Sequence, residues 1–339
     1  MSARTGHPRR LERLLGLSLP LLQAGMGGVA GPRLCAAVSR AGAGGILALY
    51  REPPERAGEL VARTAAATSR PFGVNLIPEV SGARTCRAQL DAALSALPAD
   101  GFVTFYGLPG PGLTAVCARA GRRVVVQVGT ADTAGRALAD GADAVVLQGT
   151  EAGGHLLGEL PSLRLLGAVR ERHPDAVLAV AGSVATGADL ARVIARGADG
   201  AMAGTLFVAT AESDAHDAFK RRVVTAAARD TVVTDLFAIG WPHRPHRVLR
   251  NDLTERGERL PARFVATVTA PDGRRLPVPR YSASAPSLRT EGRVEEMAMY
   301  CGRSCERVGR VEPVAAVLAR VRADYALAVP DQEGAPPHG

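Results

Sequence analysis

Lysine is nearly missing from this 339-residue chain: Lys220 stands alone, and the rest of its 41 basic residues are arginines. A formal charge of +8 would suit a phosphate backbone, but the arginines are spread along an Ala- and Gly-rich sequence instead of gathering in one stretch. Aromatic residues amount to 4%, too few to build the stacking platforms of a single-strand binder. Nucleic acid is therefore not an expected partner. No apolar run approaches the ~18 residues that cross a bilayer, and the basic opening MSARTGHPRRLERLLGLSLP has no adequate apolar stretch or convincing cleavage site. A cytoplasmic protein away from membranes is expected. The five cysteines, Cys35, Cys86, Cys117, Cys301 and Cys305, are odd in number, scattered and without a CxxC pair. That excludes a disulfide framework and a cysteine-held zinc site, so reduced thiols and no metal are expected. The dinucleotide fingerprint GxGxxG is also missing, because 25-GMGGVAG-31 has its glycines at other spacings.

What is present is a chain 47% hydrophobic and 22% charged, enough for a large core. An internal repeat organises it. The segments 132-DTAGRALADGADAVVLQG-149 and 186-TGADLARVIARGADGAMAGT-205, and more loosely 33-RLCAAVSRAGAGGILAL-49, each read as a helix, a glycine stop and a short apolar strand. Repeated αβ units imply parallel pairing with right-handed crossovers. Apolar runs of strand length occur at 19–24, 45–49, 72–77, 102–106, 123–128, 144–148, 177–181 and 200–203. Eight within about two hundred residues is the size of a closed (β/α)8 TIM barrel. Residues 1–210 are assigned to the barrel. Residues 211–328 are assigned to a smaller, mainly helical region over its mouth, and 329–339 to a disordered tail.

In such a barrel the carboxyl ends of the strands build the site. Here Gln23, Asn75, Gln127 and Gln148 are amides at the tips of apolar strands, where an unpaired polar group costs a few kcal/mol. A planar heterocycle with donors and acceptors round its rim would satisfy such a ring. Strand one runs on into Ala24, Gly25 and Met26. Strands seven and eight end in Ala181-Gly182-Ser183 and Ala203-Gly204-Thr205, small residues whose backbone and hydroxyls suit a phosphate. After strand six comes 148-QGTEAGGH-155, in which Gly153 and Gly154 permit unusual backbone and clear space beside His155. His155 could exchange a proton or, as imidazolium, hold an anion. His243 and His246 flank prolines and read as an exposed loop. A basic mouth with Arg247, Arg250 or Arg303 near the site would suit an anionic substrate.

The motifs 20-PLLQAGMGG, 72-FGVNLI, 107-GLP, 124-VVVQVGT, 146-VLQGTEAGGH, 178-LAVAGSVATG, 199-DGAMAGTLFVATAES and 246-HRVLRN follow one another in one order. In this the chain resembles the flavin-dependent nitronate monooxygenases, formerly 2-nitropropane dioxygenases, over residues 15 to about 255. The resemblance implies a barrel that binds FMN without a covalent bond, with the phosphate around Gly182, Ser183, Gly204 and Thr205 and with His155 as the catalytic residue. It implies oxidation of an alkyl nitronate with O2 to a carbonyl compound and nitrite. The chain departs from the family at Gly25, where a proline is usual, at Ser183 in place of a second glycine, at Leu206 and at Arg303. Flavin-dependent enoyl reductases share the fold and the EAGGH-like motif and often carry glycine at the place of Gly25. FMN-dependent reduction of an enoyl thioester or a quinone by NAD(P)H is the alternative activity, and a flavin-binding protein without turnover is a third.

Overall fold

The computed structural model describes residues 9–329; the tail assigned to 329–339 therefore lies, but for Val329, outside the described residues. Eight parallel strands form the barrel: β1 (Leu21–Gln23), β2 (Gly45–Ala48), β3 (Phe72–Leu76), β4 (Phe102–Tyr106), β5 (Arg123–Val128), β6 (Ala144–Gln148), β7 (Val177–Ala181) and β8 (Gly200–Ala203). They pair in the order β1-β8-β7-β6-β5-β4-β3-β2. A parallel bridge from Leu22 to Gly44, just ahead of β2, closes the ring, with hydrogen bonds from Gly44 N to Leu21 O (2.9 Å) and Gln23 N to Gly44 O (2.8 Å). The eight runs seen in the sequence are these strands.

Both faces of the strands are buried, as parallel strands require. Leu21, Leu47, Val74, Phe105, Val126, Leu147 and Val180 pack outward against the helices. Leu22, Ile46, Phe102, Val125, Val146, Ala179 and Met202 fill the interior. Leu11 and Leu15, from the short helix Arg10–Leu15, join that inner cluster. They seal the amino end, which leaves the carboxyl end for the site.

After residue 210 the chain is mixed. Beside the helices Asp217–Thr225 and Val314–Ala328 stand short strands: β9 (Thr231–Thr234) pairs with β10 (His246–Leu249), and β11 (Phe264–Thr269) lies between β12 (Arg275–Pro279) and β13 (Thr290–Gly292). The β11–β12 turn is closed at Gly273, whose φ of +84° a glycine adopts freely. The helix Val314–Ala328 packs on the barrel wall against the helices Gly187–Ala195 and Pro32–Arg40. Among the described residues no helix is long and apolar enough to cross a membrane.

Candidate active site

The strand tips and the strands of the C-terminal region enclose a cavity of about 740 Å³. Of the residues singled out from the sequence, Ala24, Gly25, Met26, Asn75, Gln127, Gln148, Gly153, Gly154, His155, Ala181, Gly182, Ser183, Ala203, Gly204 and Thr205 all line it. Gln23 does not. Its Oε1 accepts from Ile46 N (3.0 Å) and its Nε2 donates to Ile46 O (3.2 Å), so this amide ties β1 to β2 inside the wall.

The other amides differ in how far the protein satisfies them. Gln148 is fully engaged: Nε2 donates to His155 O (2.8 Å) and Oε1 accepts from Leu157 N (2.9 Å), which fixes the loop that carries the histidine. Asn75 donates to Thr104 Oγ1 (3.0 Å), yet its Oδ1 is buried with no hydrogen-bond partner. The same holds for Tyr106 OH and His155 Nε2. These three orphaned atoms belong to residues of one cavity wall. Each costs about 1–3 kcal/mol when buried and unpaired, so a ligand with complementary polar atoms gains there.

The loops after β7 and β8 offer a second kind of contact. Gly182 has φ +119° and Ser183 φ +57°, a left-handed conformation that side chains other than glycine adopt at a cost. The Ser183 carbonyl is held by Arg307 Nη2 (2.9 Å). Beyond Gly204 the short helix Thr205–Val208 begins, and Thr205 Oγ1 accepts from Gly302 N (2.9 Å). Its first N–H groups have no intrahelical acceptors.

His155 is 5% exposed and belongs to a two-residue strand, Gly154–His155, that pairs antiparallel with β10 so that His155 lies opposite His246. Its ring stacks on Trp241 with centroids 3.8 Å apart and planes 16° from parallel, and the rings of His246 and Tyr300 lie 5.0 and 5.2 Å away. Burial first, then the neighbouring His246, Arg51 and Arg244, push its pKa down to about 2. The imidazole is therefore neutral near pH 7, which corrects the notion of a standing imidazolium for holding an anion. His246 is buried instead of lying on an exposed loop: Nδ1 bonds Arg244 O (3.0 Å) and Nε2 accepts from Phe237 N (3.2 Å), which fixes a neutral tautomer. His243 is exposed.

The expected basic residues lie elsewhere. Arg247 is spent on Thr150 O and Thr231 Oγ1, Arg250 on Glu255 and Arg229 O, and the Arg303 side chain is exposed. The arginines on the cavity wall are Arg51, Arg56, Arg274 and Arg289. The sequence argument also missed Tyr50, Tyr106 and Trp241, whose rings meet edge to face. Tyr106 ends β4 and Tyr50 follows β2, so the strand-end rule could have found both; Trp241 carries no such signal. All five cysteines are free and buried, and among the described residues no cluster of three or more His, Cys, Asp or Glu could hold a metal.

Comparison with known proteins matches a family model described as nitronate monooxygenase to residues 9–86 and 93–324. The chain is 36% identical to a hydroxy-methyl-oxo-octahydroindene-carboxyl-CoA dehydrogenase of Mycobacterium tuberculosis, over 73% of this chain and 68% of that protein. It is 32% identical to a nitronate monooxygenase of Paraburkholderia phytofirmans, over 69% of this chain and 75% of that one. Among solved structures, a nitroalkane oxidase from Streptomyces ansochromogenes aligns with a TM-score of 0.74 and 30% identity, covering 94% of this chain and 98% of the other.

Proposed function

The chain belongs to the nitronate monooxygenase family and is an oxidoreductase, and from that premise we propose that it binds FMN and oxidises alkyl nitronates with O2 to a carbonyl compound and nitrite. The observation that carries the proposal is the set of buried, orphaned polar atoms on Asn75, Tyr106 and His155, three residues that line the same cavity as the small residues at the ends of β7 and β8.

These residues fit the cofactor. Asn75 and the half-buried Gln127 would meet the polar rim of the flavin ring, Met26 and Ala24 its apolar faces, and Gly182, Ser183, Gly204 and Thr205 its phosphate. Bound FMN supplies the capacity to accept electrons from the substrate and pass them to O2. The protein's own part is to bind, orient and exclude water. Tyr106 OH can donate to a substrate oxygen, and His155 Nε2 can bond the same group. An anion brought against the imidazole favours its charged form, so substrate binding itself raises the basicity that burial suppresses.

A second activity at the same cavity, acyl-thioester or NAD(P)H chemistry, draws on the CoA dehydrogenase relative and on the outer wall, where Arg274 and Arg289 stand beside Val268, Leu276 and Pro277. That wall is more than a small nitronate requires. The deciding experiment loads purified protein with FMN and records its visible spectrum without oxygen after adding propionate 3-nitronate, then NADPH. Bleaching by the nitronate, and nitrite once air is admitted, is the expected result. Bleaching by NADPH alone would transfer the assignment to the reductase, and turnover of either would exclude a flavin-binding protein without catalysis. Failure to bind FMN at all would refute the proposal.

A further inference from the structure

Trp241, the only tryptophan in the chain, sits in the segment 238–246 between β9 and β10, which is clipped to the rest of the protein along its length. Ile239 N donates to Tyr281 O (3.0 Å), Ala283 N donates to Ile239 O (2.9 Å), and Leu156 N donates to Pro245 O (2.8 Å). The segment's most specific attachment is to the barrel. Glu79, on the short helix Pro78–Ser81 after β3, accepts from Trp241 Nε1 (3.0 Å) at Oε1. The same carboxylate holds Arg244 through Nε to Oε1 (2.9 Å) and Nη2 to Oε2 (2.7 Å). Burial alone would raise the Glu79 pKa, but the bonds from Arg244 and Trp241 bring it below the usual carboxylate value, so the clip carries its charge at neutral pH.

The indole so fixed has one face on His155, while Tyr50 and Tyr106 meet it edge to face at 5.9 and 5.3 Å. Ile77, Tyr106, Trp241 and Ala283 form a small apolar cluster of their own, separate from the barrel core. Buried, the indole N–H needs a partner, and here that partner is a carboxylate from another element, which fixes where the ring lies on the imidazole. Here three groups determine where the His155 ring lies: the strand pairing with His246, the Gln148 amide on its carbonyl, and the indole on its face. Of the rings around the imidazole the indole lies closest, ahead of His246 and Tyr300 at 5.0 and 5.2 Å.

We propose that Trp241 is a positioning residue, pinned by Glu79, that sets the ring plane of His155 at the cavity wall. Glu79 acts through Trp241 and touches neither cavity contents nor imidazole. The inference rests on the assignment of His155 as the group that works on substrate, but the clip itself can be tested without it.

The test uses apoprotein with labelled histidine, in which an indole stacked on the imidazole shifts the His155 ring protons upfield; the resonances are assigned by loss in His155→Asn. In Trp241→Ala they should move downfield, and in Trp241→Phe, which keeps a ring without an N–H for Glu79, and in Glu79→Gln they should broaden or move part of the way. The Trp241 emission should shift to the red in Glu79→Gln. With FMN and substrate, Trp241→Ala should lose about ten- to a hundredfold in kcat with KM little changed, the size expected for a displaced catalytic group, and Glu79→Gln and Trp241→Phe, which keep a ring but weaken or remove its pin, should lose part of that. Ring resonances unmoved in Trp241→Ala and Glu79→Gln, or moved resonances with wild-type kcat, would overturn the proposal. A wild-type enzyme inert to every substrate would remove the assigned activity while the resonance test still decides the clip.

Discussion

Gly153 and Gly154 are adjacent in the sequence and required for different physical reasons, which a matched pair of substitutions separates. A Cβ on Gly153 would stand 2.5 Å from Gly302 N, 2.6 Å from Cys301 C and 2.9 Å from Cys301 Cα, all backbone atoms. Ordinary contact begins at 3.4 Å, so the shortfall is 3.4 − 2.5, or about 0.9 Å, at the closest atom. The facing segment cannot simply yield, because Gly302 N is bonded to Thr205 Oγ1 (2.9 Å) and Arg303 N to Glu151 O (3.0 Å). Gly154 is the reverse case: its φ is +87° and a Cβ there would meet nothing within 4 Å.

Overpacking against a fixed backbone costs about 1–3 kcal/mol, and breaking the Gly302 to Thr205 bond adds about 1 kcal/mol. Gly153→Ala should therefore lose about 2–4 kcal/mol. With an unfolding entropy of about 2.1 cal/mol/K per residue over 339 residues, that is a fall in Tm of about 3–6 °C. Gly154→Ala should lose about 1–2 kcal/mol, the cost of a left-handed residue with a side chain. Asparagine tolerates that conformation, so Gly154→Asn should be milder than Gly154→Ala, whereas Gly153→Asn should be at least as damaging as Gly153→Ala. Differential scanning calorimetry of the four variants measures the order. Because Gly153 also spaces the loop that carries His155, its alanine variant should lose about a hundredfold in kcat. If Asn were tolerated at 153 and rejected at 154, the close approach of the two loops would be refuted as the reason for the first glycine.

Four further outcomes are expected. His155→Ala should retain bound FMN and lose about 10²- to 10⁴-fold in turnover; undiminished turnover would remove the imidazole from the chemistry. His155 has its pKa lowered from 6.5 to about 2, so between these values the unfolded chain binds a proton that the folded chain refuses. Stability should then fall as pH drops through 6.5, by about 1.4 kcal/mol per pH unit, and be indifferent to this group above it. Urea titrations near pH 7 and near pH 5 should show that slope reduced in His155→Asn. Ser183→Gly should raise stability by about 0.5–1 kcal/mol, since glycine removes the left-handed penalty and returns part of it as chain entropy; a lower Tm would mean that the serine hydroxyl earns its place. Trp241 lines the cavity, so its emission should be quenched as FMN is titrated in, and an unchanged spectrum with bound FMN would place the flavin elsewhere.

The barrel was legible because its signals are local. Each strand is a run of buried residues closed by a polar or small tip, and the repeat in 132–149 and 186–205 imposes the parallel order that the structure has. Cavity residues at strand ends followed from the same rule, since a barrel has one open rim when helix Arg10–Leu15 seals the other. Gln23 escaped the rule because β1 and β2 are joined only through Gly44 and the Gln23 amide, so a polar tip that looked like a ligand contact serves closure. Arg247 misled in the same way: a basic residue beside a histidine motif is a natural anion site until two backbone and hydroxyl acceptors, distant in sequence, turn out to consume it.

What stayed hidden depends on pairings that no local pattern encodes. The segment with Trp241 shows prolines and histidines, and prolines mark a break without saying what the break will touch. Its place over the cavity is decided by His246 pairing with His155 and by Glu79 reaching it from the far side of the barrel mouth. Both contacts join the C-terminal region to a loop of the barrel, the first reaching His155 directly and the second through Trp241. The residues that contact the cavity from the barrel could thus be read from strand ends, while those that tune His155 are supplied by the region laid over them. Substrate preference within the family should accordingly be sought in the 238–246 segment and the β11–β12 hairpin. An exchange of that hairpin's Arg274 for glutamine should alter the KM for a long anionic thioester and leave that for a small nitronate unchanged, because only the longer molecule extends to the outer wall.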